Sequence, residues 1–164
     1  MIKGSVQSFL LISMLEEYEK KRHFKKTPEP PAINSRKSSE KPIFVVQRHD
    51  ARNLHYDFRL ELDGILKSWA VPKEPPKETG IRRLAIETED HPLGYADFEG
   101  EIPEGEYGAG TVEIWDKGTF EFLKREEREI VVVLKGDKLK GTYVLIRTKY
   151  GKGEKGWLFF RKAD

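Results

Sequence analysis

The residues that could do chemistry in this chain are concentrated in one stretch. Three of its four histidines, His49, His55 and His91, lie there. His55, Asp57 and Arg59 occupy alternate positions, so they would share one face of a β-strand. Such a face presents an imidazole, a carboxylate and a guanidinium in a row. It can bind a metal ion and, beside that ion, an anion such as phosphate.

Three side chains form a candidate metal site. Residues i and i+2 of a strand lie about 6.6 Å apart at their Cα atoms, which lets His55 and Asp57 lean onto one ion. His49 ends the preceding predicted strand, and a short turn over residues 50–53 returns the chain antiparallel, so His49 is the natural third ligand. Two imidazoles and one carboxylate suit Mn²⁺, Zn²⁺ or Fe²⁺.

Positive residues near this site predict contacts with a phosphate. Arg59 lies one further step along the same strand face, where it could bind a metal-bound phosphate oxygen bidentately. Lys73 and Arg83 add positive charge. A metal ion beside such groups is suited to the chemistry of phosphate esters.

A second predicted strand, residues 83–89, leads into further candidates. If this strand stays regular as far as His91, then Arg83, Glu89 and His91 share one face. Glu89 could orient an imidazole, and His91 could protonate a leaving oxygen. Tyr95 offers a hydroxyl group for a non-bridging phosphate oxygen.

These residues need a scaffold, and from residue 43 onward the sequence is mostly β in pattern. Apolar and polar residues alternate over residues 54–62, and Asp63-Gly64 is typical of a hairpin turn. Asp116-Lys117-Gly118 predicts a second hairpin turn. Short strands at this spacing predict a mainly β antiparallel barrel or sandwich. The predicted strands are residues 43–49, 54–62, 66–71, 83–89, 111–115, 119–123, 129–134, 141–148 and 156–161.

The first 42 residues differ from the rest. Residues 10–25 have the apolar spacing of a helix, the Pro-rich residues 27–31 end it, and residues 32–41 lack periodicity, as a linker does. Residues 1–42 carry nine Lys or Arg and five Asp or Glu, whereas residues 43–164 carry 21 and 23. One domain is predicted, with a short helix, basic arm and linker over 1–42 and a β domain over 43–164. Because residues 43–164 carry slightly more acidic than basic residues, the chain does not fit the class of uniformly basic proteins that coat nucleic acids.

Composition also bears on the cellular compartment. The chain has no cysteine, which excludes a disulfide framework and a thiol nucleophile. The apolar run over residues 9–15 is shorter than the about 20 residues that a membrane-spanning helix needs, and it lacks a convincing signal-peptide pattern. A cytoplasmic protein without a membrane partner is expected.

Simpler interpretations exist for these features. An alternating strand often just exposes its polar face to solvent. His91-Pro92 could form a structural turn, and Tyr95 and Tyr107 could be core residues. Two other functions also fit parts of the pattern. One is a non-haem Fe²⁺ oxygenase with a His-x-Asp facial triad, and the other is a non-catalytic barrel that binds single strands.

Five blocks of the chain are informative together. They are FVVQRHDARNLHYDFRLE at 44–61, LKSWAVPK at 66–73, EDHPL at 89–93, FEGEIPEGEYGAG at 98–110 and WDKG at 115–118. In register, these blocks closely resemble the signature of the 3′-phosphoesterase domain of bacterial DNA ligase D. The resemblance implies an eight-stranded antiparallel β-barrel-like fold with a groove for nucleic-acid 3′ ends. It also implies a Mn²⁺-dependent enzyme, with Zn²⁺ or Co²⁺ as other candidate ions.

The resemblance further implies two reactions and a set of site residues. A 3′-terminal ribonucleoside is removed by a phosphodiesterase step, and a 3′-phosphate is then removed by a phosphomonoesterase step. The implied metal ligands are His49, His55 and Asp57. The implied phosphate-contacting catalytic residues are Arg59, His91 and Tyr95. The implied supporting residues are Arg22, Glu29, Gln47, Lys73, Arg83 and Glu89.

The chain departs from the family pattern in places. The family usually has Asp after the arginine that corresponds to Arg22, whereas this chain has His23, which could weaken one activity or shift the metal or pH dependence. Polymerase and ligase modules have no counterpart, so a stand-alone monomer acting with a separate ligase and polymerase is expected. Residues 1–13 have no counterpart either, and Met14 could be the true start. Whether water or a histidine attacks the phosphorus stays open.

Overall fold

The computed structural model describes residues 15–32, 41–149 and 155–163. The described residues form two short helices and nine strands. The helices are α1 (Glu16–Lys20) and a 3₁₀ helix (Leu93–Asp97). The strands are β1 (Ile43–Asp50), β2 (Leu54–Leu62), β3 (Ile65–Val71), β4 (Arg82–Pro92), β5 (Gly100–Ile102), β6 (Gly110–Arg125), β7 (Glu129–Lys135), β8 (Lys140–Arg147) and β9 (Gly156–Arg161).

Eight of these strands close into an antiparallel barrel. Neighbouring strands follow the order β1-β2-β3-β4-β9-β8-β7-β6, and β6 pairs back with β1. Strand β5 lies outside this ring and pairs with the first residues of β6. Closure gives each of the eight strands two neighbours and leaves no open sheet edge among them. The predicted eight-stranded antiparallel barrel is confirmed, and the alternative of a sandwich is wrong.

The alternation predicted for β2 separates its side chains onto the two faces of the barrel wall. Tyr56, Phe58 and Leu60 point into the barrel and join its apolar core. This core also contains Trp69 from β3 and Trp157 from β9, which are both fully buried. The interior is therefore filled with aromatic and aliphatic side chains, which is the usual state of a small barrel.

The outer face of β2 is also buried, although it carries charges. Asp57, Arg59 and Glu61 are 7%, 3% and 7% exposed. A second apolar cluster covers this side of the wall and includes Tyr18 from α1 and Tyr95 from the 3₁₀ helix. The interpretation of this face as solvated is therefore wrong, because segments outside the barrel pack over it.

One of the two predicted hairpin turns is correct. Asp63 and Gly64 connect β2 to β3 with φ angles of 53° and 84°, as a type I′ turn requires. Asp116 and Gly118, in contrast, lie inside the continuous strand β6, so the prediction of two strands over 111–115 and 119–123 is wrong. Glycine at position 118 allows β6 to pack closely against the end of β7, since a Cβ atom there would lie 2.2 Å from the carbonyl oxygen of Lys135.

The N-terminal helix is shorter than predicted. Helix α1 ends at Lys20, and residues 21–27 form turns in which the His23 carbonyl accepts from the amides of Lys26 and Thr27 at 2.8 and 3.2 Å. Residues 10–14, the linker residues 33–40 and the predicted turn at 150–153 lie outside the described residues. Within the described part of the chain, no helix is long and apolar enough to cross a membrane.

We expect the inward-facing carboxylate of Asp116 to contribute measurably to the free energy of unfolding. Asp116 is 4% exposed and accepts hydrogen bonds from the backbone amides of Asp137, Lys138 and Leu139 at 2.9, 3.2 and 2.8 Å. We expect Asp116→Ala to lower the free energy of unfolding by about 2–4 kcal/mol in urea denaturation, because three amides lose their acceptor. Glu121→Ala on the same strand is the matched control.

The control should change little, because the Glu121 side chain is 65% exposed and makes only a surface ion pair. Equal stability of both variants would show that the amides of residues 137–139 find solvent instead of needing Asp116.

Candidate functional site

A pocket of about 320 Å³ lies on the outer side of the barrel wall, between β1, β2, β4 and the segment 15–32. It brings together nine of the predicted site residues. They are Arg22, Glu29, His49, His55, Asp57, Arg59, Glu89, His91 and Tyr95. Gln47 is fully buried and hydrogen-bonded to the side chain of Arg59, which lines the pocket. The sequence therefore predicted most of the lining of one pocket from residues that are up to 73 positions apart.

The three predicted metal ligands converge at one end of this pocket. His49 and His55 lie directly opposite each other on the antiparallel strands β1 and β2, with Asp57 two residues along β2. Nδ1 of His49 lies 3.5 Å from Oδ2 of Asp57, and Nε2 of His55 lies 3.2 Å from the same oxygen. The three ligand atoms lie within 4.8 Å of one another, so these residues can hold one metal ion.

Backbone carbonyls fix the orientation of both imidazoles. Nε2 of His49 lies 2.6 Å from the carbonyl oxygen of Gly108, and Nδ1 of His55 lies 3.0 Å from that of Asn53. A ring nitrogen that donates to a carbonyl leaves the other nitrogen to face Asp57, which is the usual arrangement around metal-binding histidines. The donor set and its supporting hydrogen bonds therefore fit a divalent ion.

The charges in this cluster also favour a cation. Burial opposes ionisation of Asp57, but the charge of Arg59 and the hydrogen bonds from the two histidines hold its pKa well below the usual range. Burial is the largest single effect and lowers the pKa of His55, but the hydrogen bond and charge of Asp57, together with the Asn53 carbonyl, raise this pKa overall. A proton on Nε2 of His55 therefore occupies the position that a metal ion would take.

Arg59 is held rigidly beside the metal cluster. Its Nε donates to Oε1 of Gln47 at 2.7 Å, and its Nη1 donates to Oγ of Ser68 at 2.9 Å. Its Nη2 lies 3.5 Å from Oδ2 of Asp57, and the guanidinium carbon lies 4.8 Å from the ring centre of Tyr95. Gln47 in turn donates to the carbonyl oxygen of Tyr95 at 2.7 Å. The guanidinium is thus fixed where it can contact an anion in the pocket.

His91 faces the same pocket in a neutral form. Its Nδ1 lies 2.9 Å from the carbonyl oxygen of Glu89, so Nδ1 carries the proton and donates. Its Nε2 lies 3.4 Å from Nη2 of Arg22 and accepts from it. Burial, together with the charges of Arg59 and Arg22, holds the pKa of His91 well below its usual value. His91 therefore presents a nitrogen lone pair at Nε2 rather than an acidic proton.

The N-terminal segment supplies a buried ion-pair cluster behind His91. Nε of Arg22 donates to Glu29 at 3.0 Å, and its Nη1 donates to Glu89 at 3.1 Å. The hydroxyl of Tyr95 donates to the same Glu29 carboxylate at 2.5 Å. Burial and the charge of Glu29 raise the pKa of Tyr95 well above its usual value. The hydroxyl therefore remains a donor at neutral pH.

Comparison with known proteins decides the family. Residues 47–147, more than half of the chain, match the family described as the DNA ligase D 3′-phosphoesterase domain. The chain belongs to this family. Its match includes the three candidate metal ligands, Arg59 and His91, and it excludes Arg22 and Glu29.

Curated relatives extend the likeness of this 3′-phosphoesterase domain to nearly the whole chain. The multifunctional non-homologous end joining protein LigD of Pseudomonas aeruginosa is 49% identical over 156 residues, which covers 92% of this chain and 19% of the relative. The LigD protein of Mycobacterium tuberculosis is 51% identical over 138 residues, covering 82% and 18%. That of Mycolicibacterium smegmatis is 47% identical over 161 residues, covering 92% and 21%. The chain spans about a fifth of the length of these relatives.

Two predicted residues do not line the pocket of this 3′-phosphoesterase domain. The register between β3 and β4 shifts between Leu66 and Ser68, so β4 is not the regular strand on which the shared face of Arg83 and His91 depended. Arg83 instead donates to the carbonyl oxygen of Glu74 at 2.9 Å. Lys73 lies in the loop after β3 and is exposed. A bulge cannot be recognised from alternation alone, because it breaks the period of two.

Sequence patterns missed several residues that complete the site. Ser68 fixes Arg59, and Lys21 donates to Glu89 at 2.6 Å. Tyr107 lines the pocket and is 48% exposed, so its interpretation as a core residue is wrong. His23 lies outside the pocket lining, with Nδ1 3.3 Å from Glu106 and a side chain that is 73% exposed. Only the contacts formed in the folded chain show that Ser68, Lys21 and Tyr107 belong to the site.

The geometry predicts that metal binding depends on the three converging ligands. We expect His55→Ala to weaken Mn²⁺ binding by roughly 100-fold or more in isothermal titration calorimetry, since even losing an outer-shell partner costs 10–100-fold. His23→Ala is the matched control, because His23 lies outside the cluster. Equal affinities of His55→Ala and the wild type would contradict the site.

Mn²⁺ binding should also weaken as the pH falls through the raised pKa of His55, because a proton competes for Nε2.

Proposed function

We propose that this 3′-phosphoesterase domain is a metal-dependent enzyme that heals nucleic-acid 3′ ends for end-joining repair. It removes a 3′-terminal ribonucleoside by phosphodiester hydrolysis and then removes the remaining 3′-phosphate, which leaves a 3′-OH group. The observation that carries this proposal is the position of Arg59, 3.5 Å from the Asp57 carboxylate that also faces both histidines. The positive charge of Arg59, which can bind a phosphate, and the side chains that can bind a cation thus lie in one pocket.

His49, His55 and Asp57 would hold the cation. We propose Mn²⁺, with Zn²⁺ or Co²⁺ as substitutes, because imidazole and carboxylate ligands suit these ions. When bound there, a divalent ion neutralises the phosphate charge and makes the phosphorus more electrophilic. The role of these three residues is to bind and orient that ion.

Arg59 would stabilise the negative charge that develops on the non-bridging oxygens. Gln47 and Ser68 fix two of its nitrogens, so its remaining N–H groups need little reorganisation when the phosphate reacts. Tyr95 would contribute a hydroxyl by exchanging its present acceptor, Glu29, for a phosphate oxygen. Lys73, in the exposed loop after β3, would contact the strand outside the pocket.

Among the supporting residues, Arg22, Glu29 and Glu89 would keep the N-terminal segment and β4 in place around His91. Arg83, like Lys73, would act on more distant phosphates of the strand, since it does not line the pocket. Residues 15–32 and the barrel would therefore form one functional unit.

His91 would transfer the proton that the leaving oxygen needs. In hydrolysis by water, the attacking water gives up a proton to solvent, the bond between phosphorus and the leaving oxygen breaks, and that oxygen takes a proton. Burial and the charges of Arg59 and Arg22 keep His91 neutral. A phosphate oxygen next to Nε2 would accept a hydrogen bond from the protonated imidazole, so binding of substrate would favour that form. His91 would then donate from Nε2 and return to its neutral form.

The partners follow from the relatives. These are named multifunctional non-homologous end joining proteins, and this chain spans about a fifth of their length. We infer that the enzyme acts as a cytoplasmic monomer on 3′ ends of primer–template DNA. A ligase and a polymerase would use the 3′-OH that it produces.

The first test is metal-dependent processing of a defined end. We expect a labelled primer–template with one 3′-ribonucleotide to shorten to a 3′-phosphate and then to a 3′-OH with Mn²⁺, and to remain intact with EDTA. Both products should be resolved by denaturing gel electrophoresis. Persistence of the 3′-phosphate would mean that the second activity is weak in a chain with His23.

Two further measurements on the same preparation, of binding and of oxygen-dependent turnover, separate the rival functions. Binding that EDTA does not affect, with no product, would favour the single-strand-binding barrel. Turnover that needs oxygen and a 2-oxoacid would favour the Fe²⁺ oxygenase, which the two-histidine, one-carboxylate cluster also suits.

The proposed role of His91 gives a second test. We expect His91→Ala to lower kcat by about 100- to 10,000-fold, the range typical of general acid–base catalysis. Its Mn²⁺ affinity should stay at the wild-type value, because His91 is not part of the metal cluster. Rates measured by rapid quench and affinities measured by calorimetry on the same preparation would separate the two effects. Full activity of this variant would rule out the acid role.

A further inference from the structure

Tyr107 is an exposed aromatic residue at the edge of the pocket. It is 48% exposed, and it is the only aromatic residue among the large exposed hydrophobic side chains in residues 15–32, 41–149 and 155–163. It also lines the pocket that contains the metal cluster. The mechanism proposed above gives it no role.

The backbone around Tyr107 ties its position to the metal cluster. The next residue, Gly108, has a φ angle of 76° and accepts a hydrogen bond from Nε2 of His49 at 2.6 Å. The turn is closed by the amide of Ala109, which donates to the carbonyl oxygen of Glu106 at 3.1 Å. The contact that orients a candidate metal ligand therefore also places the Tyr107 ring.

Two cations restrain the ring itself. Nζ of Lys21 lies 4.7 Å from the ring centre, and the guanidinium carbon of Arg22 lies 5.4 Å from it. Both cations are held by the buried carboxylate of Glu89. The ring is consequently positioned before any ligand arrives, although about half of its surface remains open.

The chemistry of the substrate gives such a ring a use. A phosphate held near Arg59 carries nucleosides that extend toward the edge of the pocket. Tyr95 also lines the pocket but is only 2% exposed, and the other apolar side chains of the lining, Ala51, Ala70 and Ile102, carry no ring for stacking. Stacking of a base on an aromatic ring contributes about 1–3 kcal/mol per base and tolerates any sequence.

We propose that Tyr107 is the stacking platform for a base next to the scissile phosphate, and that it makes the site selective for nucleotide ends. This inference rests on the proposed phosphoesterase function and adds a nucleoside subsite to it. Tyr107 is a binding residue in this scheme and takes no part in proton transfer.

The test measures binding of matched ends by fluorescence anisotropy with Mn²⁺, in the His91→Ala background to prevent turnover. One primer–template ends in a normal ribonucleotide, and a second has base-free sugars on both sides of the scissile phosphate. We expect Tyr107→Ala to weaken binding of the first substrate roughly 5- to 150-fold, the equivalent of 1–3 kcal/mol. Binding of the base-free substrate should not change. Tyr107→Phe and Tyr107→Trp should restore binding to within about threefold, because both keep a ring.

Leu123→Ala is the matched surface control, since Leu123 is 61% exposed and does not line the pocket. Equal losses on both substrates would overturn the proposal, because Tyr107 would then only support Lys21 and Arg22. No loss on either substrate, or no rescue by Phe and Trp, would also overturn it. Failure of the proposed function is distinguishable, because the enzyme with Tyr107 and His91 intact would then yield no metal-dependent product.

Discussion

Burial of charge on the outer face of β2 is the constraint on which the rest of the site depends. Asp57 and Arg59 are nearly inaccessible to solvent. A buried charge without partners would be strongly destabilising, so each must be compensated by other charges and hydrogen bonds. Gln47 and Ser68 supply bonds to Arg59, and the two histidines supply bonds to Asp57. The segment 15–32 excludes water from this face and brings its own paired charges.

The same constraint explains why cations and carboxylates occur in equal number around the pocket. The interacting groups comprise three cations and three carboxylates, namely Lys21, Arg22, Arg59, Glu29, Asp57 and Glu89. This set is neutral without ligands. A divalent cation and a doubly charged terminal 3′-phosphate would add equal and opposite charge, so the proposed complex of the second step would preserve the balance. Removing Arg22 would take away the ion-pair partner of the buried Glu29 carboxylate, which costs more than the pair contributes.

The sequence predicted the parts of the site that follow from local periodicity. The period of two on β2 placed His55, Asp57 and Arg59 on one face, and the short return from β1 placed His49 opposite His55. Longer-range features were not predictable in this way. The shift in register on β4 separates Arg83 from His91, because a bulge depends on pairing with β3. Arg22 and Glu29 were expected only through the family resemblance, since a segment packed across a barrel leaves no periodic signal.

The location of the site on the outside of the barrel fits the kind of substrate proposed for it. The barrel interior is filled by side chains such as Phe58, Trp69 and Trp157, so it has no room for a ligand. The outer pocket is covered on one side by residues 15–32 and is open on the side of Tyr107. A chain end can therefore enter while the rest of a polymer stays outside, which an enclosed cavity would not permit. In the proposed complex, the segment 15–32 would thus limit access to the terminal phosphate.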